Sequence, residues 1–401
     1  MATPTPFQIN VSESSIKSLH DKLSLATFPD ELIDANWELG APLSHVKRLS
    51  EYWHNGFDWR AQEAKLNKLP QFKTKIATEK FGELDVHFVH QKSKVDGAIP
   101  LLFVHGWPGS FIEVTKLLPI LTAGSETQPA FHVVAPSLPG FGFSDGPKER
   151  GFGLKQHAET VHNLMLSLGY DEYVTQGGDW GAFITRSQGL LYPQSVKASH
   201  LNFFPTVPSL TNAIYHPITT LQVMFNFVTN YAESRRRLAK TSTFLQAGSG
   251  YNVIQTSRPQ TIGYAQADSP VALLAWIYEK LHDWTDAYPW TDDEVLTWVS
   301  IYWFSAAGPA ASSRIYHEAR ATDLWAEIWI VPFSQGTDAD ALFMGQHGGR
   351  GRHEVEHESG GHFAAWEKPE ELCGDVRKMF SKGGPCYGIV KGKDGYVSGT
   401  M

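Results

Sequence analysis

The stretch VTQGGDWGAF, residues 174–183, restricts this chain more than any other. A β-type run breaks into glycines around one polar residue, and small and apolar residues follow at once. That is the layout of a nucleophile elbow, the tight strand-to-helix turn usually written G-x-S-x-G. Asp179 stands at the centre, with Gly177 and Gly181 at the small-residue positions. An Asp there also has a plainer use, capping the helix that follows. Its neighbours in the chain decide between the two.

IPLLFVHG, FHVVAPSL, YVTQGG and VKASHLNFF are compact apolar runs, each ending in Gly, Pro or polar residues. IEVTKLLPILTA and GLKQHAETVHNLMLSLGY, between them, have helical spacing. Strands alternating with helices predict an α/β fold with a mostly parallel, doubly wound sheet. From about 205 to 320 the strand signal disappears, and PITTLQVMFNFVTNYAESRRRLAK, PVALLAWIYEKLHDW and DDEVLTWVSIYWFSAA are helical in period. Such a block, inserted late in the sheet, predicts a lid over the C-terminal strand ends. Residues 1–75 read as short helices, the first with its N-cap near Ser12, and the hairpin KTKIATEKFGELDVHFVHQKS follows. After the lid come a strand (AEIWIVPF) and a helix (KPEELCGDVRKMF). The expected division is an N-terminal domain at 1–75, a core at 76–205 and 321–401, and a lid at 206–320. The Gly-rich tail after 381 is expected on the surface.

With 401 residues, 42% hydrophobic and 19% charged, the chain has ample core for a globular protein. A net charge of −8 argues against nucleic acid or an anionic membrane as partner. The N-terminus lacks a basic segment leading into an apolar one, and no apolar run nears the roughly 18 residues a membrane span needs. A cytoplasmic enzyme is the expectation. Cys373 and Cys386 make neither a disulfide framework nor a zinc site. His347, His353, His357 and His362 crowd one region, but their spacing does not match a helical HExxH site. No metal or cofactor is expected.

Three motifs fall where an α/β-hydrolase needs them. HGWPGSF at 105–111 follows a strand, the place of one half of an oxyanion hole. GGDWG supplies the nucleophile, and SGGHFAAWEKPEEL at 359–372 sets His362 before a late helix, the place of the general base. Each has a bland reading alone; together, in this order, they make a catalytic set. Asp179 then has a chemical rationale. A carboxylate is already ionised at pH 7 and suits attack at an sp³ carbon, giving an alkyl-enzyme ester. Water activated by His362 would hydrolyse that ester, so an oxyanion hole is still needed. Alkyl halides and epoxides both fit. A halide needs N–H donors, whereas an epoxide oxygen needs an acidic O–H.

HGWPGSF, APSLPGFGFSD, QGGDWG, LNFFP, SRPQTIGYAQADSPVALLAWIYEKL and GGHFAAWEKP together resemble the microsomal-type epoxide hydrolases, especially their soluble fungal members. The resemblance covers nearly the whole chain, and the first 75 residues look like that family's N-terminal meander domain. It implies Asp179 as nucleophile, His362 as base, and an oxyanion hole from the backbone N–H groups of Trp107 and Trp180. Two lid tyrosines hold the epoxide oxygen in that family; the lid motifs place them at Tyr251 and Tyr316. It further implies a small apolar epoxide and water as reactants, a role in aromatic hydrocarbon catabolism or detoxification, and a homodimer. Trp180 also stands where haloalkane dehalogenases carry a halide-binding indole, so that activity is the alternative. A hydrolase-fold protein deficient in turnover is a second alternative.

One segment departs from the pattern. The family's triad acid lies about 26 residues before the His, which here is Gly336, inside VPFSQGTDADALFMGQHGGRGRHEVEH. Read one base later, codons for residues 333–352 can encode FPKELTLTPSSWANTVGVVV, with an acid in register with Gly336. Its Trp is forced by Met344-Gly345. The segment therefore reads as out of frame, and third bases in the coding DNA incompatible with that alternative would overturn this. Taken as written, Asp338 and Asp340 are the nearest carboxylates, and Glu354 and Glu356 lie closer to His362.

Overall fold

The protein is described here from a computed structural model. The described residues are 3–202, 242–320 and 357–397, with 229, 231, 235, 236, 239 and 355 besides. Residues 333–352, the strand expected at AEIWIVPF and most of the first lid run therefore lie outside them, as do Gly336, Asp338, Asp340, Glu354 and Glu356.

Among the described residues, seven strands form one sheet in the order β1-β2-β3-β5-β4-β6-β7. They are Thr5–Pro6 (β1), Gln71–Thr78 (β2), Gly82–Gln91 (β3), Ile99–Val104 (β4), Phe131–Pro136 (β5), Tyr173–Gly177 (β6) and Val196–Leu201 (β7). The expected hairpin is β2–β3, and it joins the sheet antiparallel to β5. β5, β4, β6 and β7 pair parallel. Every residue of β4 and β6 is buried, as apolar runs covered on both faces require. The helices Leu154–Ser167 (α5) and Trp180–Leu191 (α6) pack against each other and the sheet. Thr78 and Thr160 bridge the hairpin to α5 at 2.8 Å. His87, fully buried in β3, bonds Ser137 at 2.8 Å and Gln71 at 2.9 Å.

The N-terminal helices are Glu13–Ser24 (α1), Leu43–Asn55 (α2) and Trp59–Leu66 (α3). Ser12 caps α1 by accepting the Ser15 N–H, and Asp58 caps α3 through Ala61. This layer grips the lid. Tyr52 donates to Asp293 at 2.8 Å, Lys22 pairs with Asp268 at 2.6 Å, Arg48 pairs with Asp292, and Trp37 stacks on His282.

The described lid helices are Gly250–Ser257 (α7), Pro259–Asp268 (α8), Pro270–Asp283 (α9), Asp292–Trp303 (α10) and Arg314–Arg320 (α11). Ser269 caps α9 with Pro270 at its first turn, and Thr291 with Glu294 forms a capping box on α10. Among the described residues no helix is long and apolar enough to cross a membrane.

One expectation needs correction and another is sharpened. IEVTKLLPILTA is not one helix: a 3₁₀ segment at Phe111–Lys116 precedes a short helix, Leu118–Thr122 (α4), whose first-turn Pro119 has no N–H with which to continue a helix from the residues before it. The tail does lie at the surface, with Lys382, Gly388, Lys391 and Val397 exposed, but it is docked rather than loose. Cys386, Val390 and Tyr396 are buried, and Gly395 is bonded to Ala130 and Gly97. Gly395 has φ +76° and a Cβ there would meet the Ala130 backbone, so glycine serves close docking rather than looseness.

Candidate active site

Two adjacent parallel strands, β4 and β6, end at the same edge of the sheet and deliver the first two motifs together. After β6 the chain turns at Asp179, whose φ of +50° and ψ of −126° are strained for a residue with a side chain. The glycines make that turn feasible. A Cβ on Gly177 would lie 2.5 Å from the Gly181 carbonyl oxygen, and one on Gly181 would run into the Val104 carbonyl. One on Gly106 would strike the Asp179 carboxylate. Asp179 does not cap the helix it precedes; its side chain makes no capping bond.

The carboxylate instead faces a constructed site. Trp107 N–H donates to Asp179 Oδ1 at 2.7 Å, and the Trp180 N–H is a second backbone donor. His362 Nε2 lies 3.7 Å from Asp179 Oδ2, and the two side chains are only 16% and 15% exposed. Burial raises the Asp179 carboxyl above its ordinary range, against the pull of His362 and the two N–H groups. Burial lowers His362, and Asp179 partly opposes this. The imidazole is thereby kept neutral, the form able to accept a proton.

Tyr251 begins α7 and Tyr316 lies in α11, and both come to this site. Tyr251 stacks on Trp107 at 5.3 Å, and Tyr316 meets Trp180 edge-on at 4.8 Å and Tyr251 at 5.8 Å. The Tyr316 hydroxyl is buried without a hydrogen bond of ordinary geometry. Burial, and then the Asp179 charge, raise both phenols far above the usual value, so both stay protonated.

Several supporting residues escaped the sequence reading. Gln255, one turn after Tyr251, accepts from Ser313 at 3.1 Å, and Ser313 also reaches Gln266 at 3.0 Å. This buried cluster ties α7, α8 and the turn before α11 together. Tyr302 donates to the Gly109 carbonyl at 2.6 Å and Trp298 to that of Pro108, so α10 holds the HGWPG loop. The His362 N–H bonds the Trp284 carbonyl at 2.7 Å. Such partners carry no local motif. Of the other crowded histidines, His357 pairs with Asp375 at 2.7 Å, away from the site, and His347 and His353 lie outside the described residues.

Known proteins resemble this chain along most of its length. The family description "Epoxide hydrolase N terminus" matches residues 4–114, and "alpha/beta hydrolase fold" matches 99–252. Epoxide hydrolase 1 of Sus scrofa is 33% identical, the match covering 93% of this chain and 88% of that one. The juvenile hormone epoxide hydrolase of Bombyx mori superposes with a TM-score of 0.79 at 28% identity, covering 94% of this chain and 93% of that one. The Aspergillus niger epoxide hydrolase gives a TM-score of 0.72 at 30% identity, covering 93% and 95%. With an α/β-hydrolase sheet, an N-terminal layer and relatives along nearly its whole length, this chain belongs to the epoxide hydrolase family.

Proposed function

We propose that this chain adds water to a small apolar epoxide and releases a vicinal diol through an ester on Asp179. The observation that carries the reading is the placement of Asp179: held by the Trp107 N–H at 2.7 Å, 3.7 Å from His362, beside buried Tyr316 and half-buried Tyr251. In the first step an Asp179 oxygen bonds to an epoxide carbon as the ring C–O bond breaks. Tyr251 or Tyr316 gives its proton to the ring oxygen, so no bare alkoxide forms. In the second step water adds to the ester carbonyl carbon and gives a proton to His362. The Trp107 and Trp180 N–H groups hold the oxyanion until it expels the diol.

The domain limits at 75, 205 and 320, the triad acid at the register of Gly336, a cytoplasmic setting, a homodimer and work in aromatic hydrocarbon breakdown or detoxification complete the proposal. The test compares single-turnover with steady-state diol formation from styrene oxide, with mass detection of an adduct on Asp179. Adduct followed by diol supports the reading. Adduct without diol makes the chain turnover-deficient, halide release from a haloalkane without diol makes it a dehalogenase, and absence of adduct and diol refutes the enzymatic reading.

A further inference from the structure

A second carboxyl shares the buried end of this site. Glu113, in the 3₁₀ segment after HGWPGS, is only 9% exposed. It walls a cavity of about 10 Å³ together with Asp179, His362, His105, Gln176 and Asn202. That is room for roughly one water, which needs two to four polar partners. Partners are at hand. Gln176 donates to Asn202 at 2.8 Å while its own Oε1 is buried with no bond among the described residues. The Ser110 N–H donates to Glu113 Oε1 at 3.2 Å.

The groups around Glu113 favour a proton on it. Burial first, and then the Asp179 charge, push its carboxyl up to about 8. His105 is held neutral by burial, at about 4, and Tyr302 keeps its phenolic proton. Lys116, on the same segment, turns to Tyr288 and the Trp366 carbonyl, within 3.9 Å of Glu294. His362 is the remaining titratable group in the cavity wall, and burial disfavours its charge.

We propose that Glu113 is the proton store of the hydrolytic half-reaction, protonated while Asp179 is a free carboxylate and ionised while Asp179 is an ester. The proposal rests on the ester mechanism above. Alkylation removes the second of the two causes that raise Glu113, leaving burial alone, and Glu113 then loses its proton to solvent through the cavity, whose Asn202 wall is exposed. The ionised Glu113 faces His362 across that cavity and favours the imidazolium. Protons balance over the cycle. The tyrosine that protonates the ring oxygen is recharged from solvent, offsetting the proton Glu113 releases. Water then adds to the ester, its proton goes to His362 and from there to the departing diol oxygen. Asp179 is left as a carboxylic acid and passes its proton to Glu113, restoring the starting state.

Proton stoichiometry during a single turnover tests this. Protein in excess is mixed with styrene oxide in weak buffer containing a pH indicator, near pH 7, while ester and diol are followed by quenching. Converting a carboxylate and an epoxide to a hydroxy-ester consumes about one proton if no other group changes. The parent chain is expected to take up less than about half a proton as ester accumulates, and Glu113→Gln, which keeps the capping acceptor, about one. Glu113→Gln should form ester within about twofold of the parent rate and hydrolyse it about tenfold or more slowly, within the usual span of proton-transfer effects. Uptake of a full proton by the parent overturns the inference, and that measurement needs no variant to fold. Hydrolysis by a folded Glu113→Gln at the parent rate overturns it as well. Failure of the parent to form any ester refutes the proposed function instead, and the inference with it.

Discussion

The elbow and the lid bring their groups to one site by opposite means. Asp179 is placed by backbone. Its turn costs on the order of 1–3 kcal/mol of strain, and the missing side chains at Gly106, Gly177 and Gly181 let strand, helix and carboxylate close together. Tyr251 and Tyr316 are placed by side chains: stacking on Trp107 and Trp180, the Gln255–Ser313–Gln266 cluster, and an N-terminal layer that holds the lid from outside. A backbone-built site tolerates almost no substitution. A packed one spreads its positioning over many contacts, so single changes there should hurt less.

The sharpest probe of that contrast is at the elbow itself. Asp179→Ala should lower diol formation by more than about 10⁴-fold and abolish the adduct, the scale seen when a nucleophile is deleted. Residual adduct would move the nucleophile elsewhere. His362→Gln should leave ester formation largely intact and slow hydrolysis by about 10²–10⁴-fold, so that adduct persists in intact-protein mass spectra.

On the lid side, Tyr251→Phe and Tyr316→Phe should each slow ester formation by about 10–100-fold, and the pair by far more, measured by quenched flow. The Tyr316 hydroxyl is buried without a hydrogen bond of ordinary geometry, so Tyr316→Phe should move the unfolding free energy by no more than about 1 kcal/mol. Gly181→Ala should cost about 1–3 kcal/mol or more in denaturant unfolding, because its Cβ meets backbone rather than a side chain that can move. If the lid change destabilises more than the elbow change, the contrast is wrong.

The core carries a shared acid response. Burial holds His87 and His157 at about 3 and His105 at about 4, against 6.5 for the unfolded chain. In that window the unfolded chain binds protons that the folded protein does not. Stability should therefore fall as pH drops below 6.5 and level off below about 3, each group contributing up to about 1.4 kcal/mol per pH unit. Urea midpoints between pH 7 and 4 check the sign. In the same range ester formation should weaken as pH falls through the raised Asp179 value, above 3.8, while His362 stays neutral to below 6.5.

Legibility followed the same division. The elbow was readable because a tight turn needs glycines at adjacent places, and that need is written in a few letters. The hairpin and α1 with its Ser12 cap were readable for the same local reason. Tyr251 and Tyr316 came only through resemblance, since an aromatic at helical spacing is ordinarily core. Glu113 sat unmarked in a run of helical spacing, and the docking of the Gly-rich tail was unreadable, because neither sequence run names the distant wall it meets.

The sequence by itself determined the sheet with its strand-to-helix turn, the carboxylate at the centre of that turn and its place ahead of His362 in the chain, all consequences of local backbone geometry and residue chemistry. Only the tertiary structure decided which tyrosines stand beside Asp179, that the N-terminal layer grips the lid, and that Glu113 shares a cavity with Asp179 and His362. Those are contacts between segments tens to hundreds of residues apart, and long-range packing and desolvation leave no periodic trace in the chain.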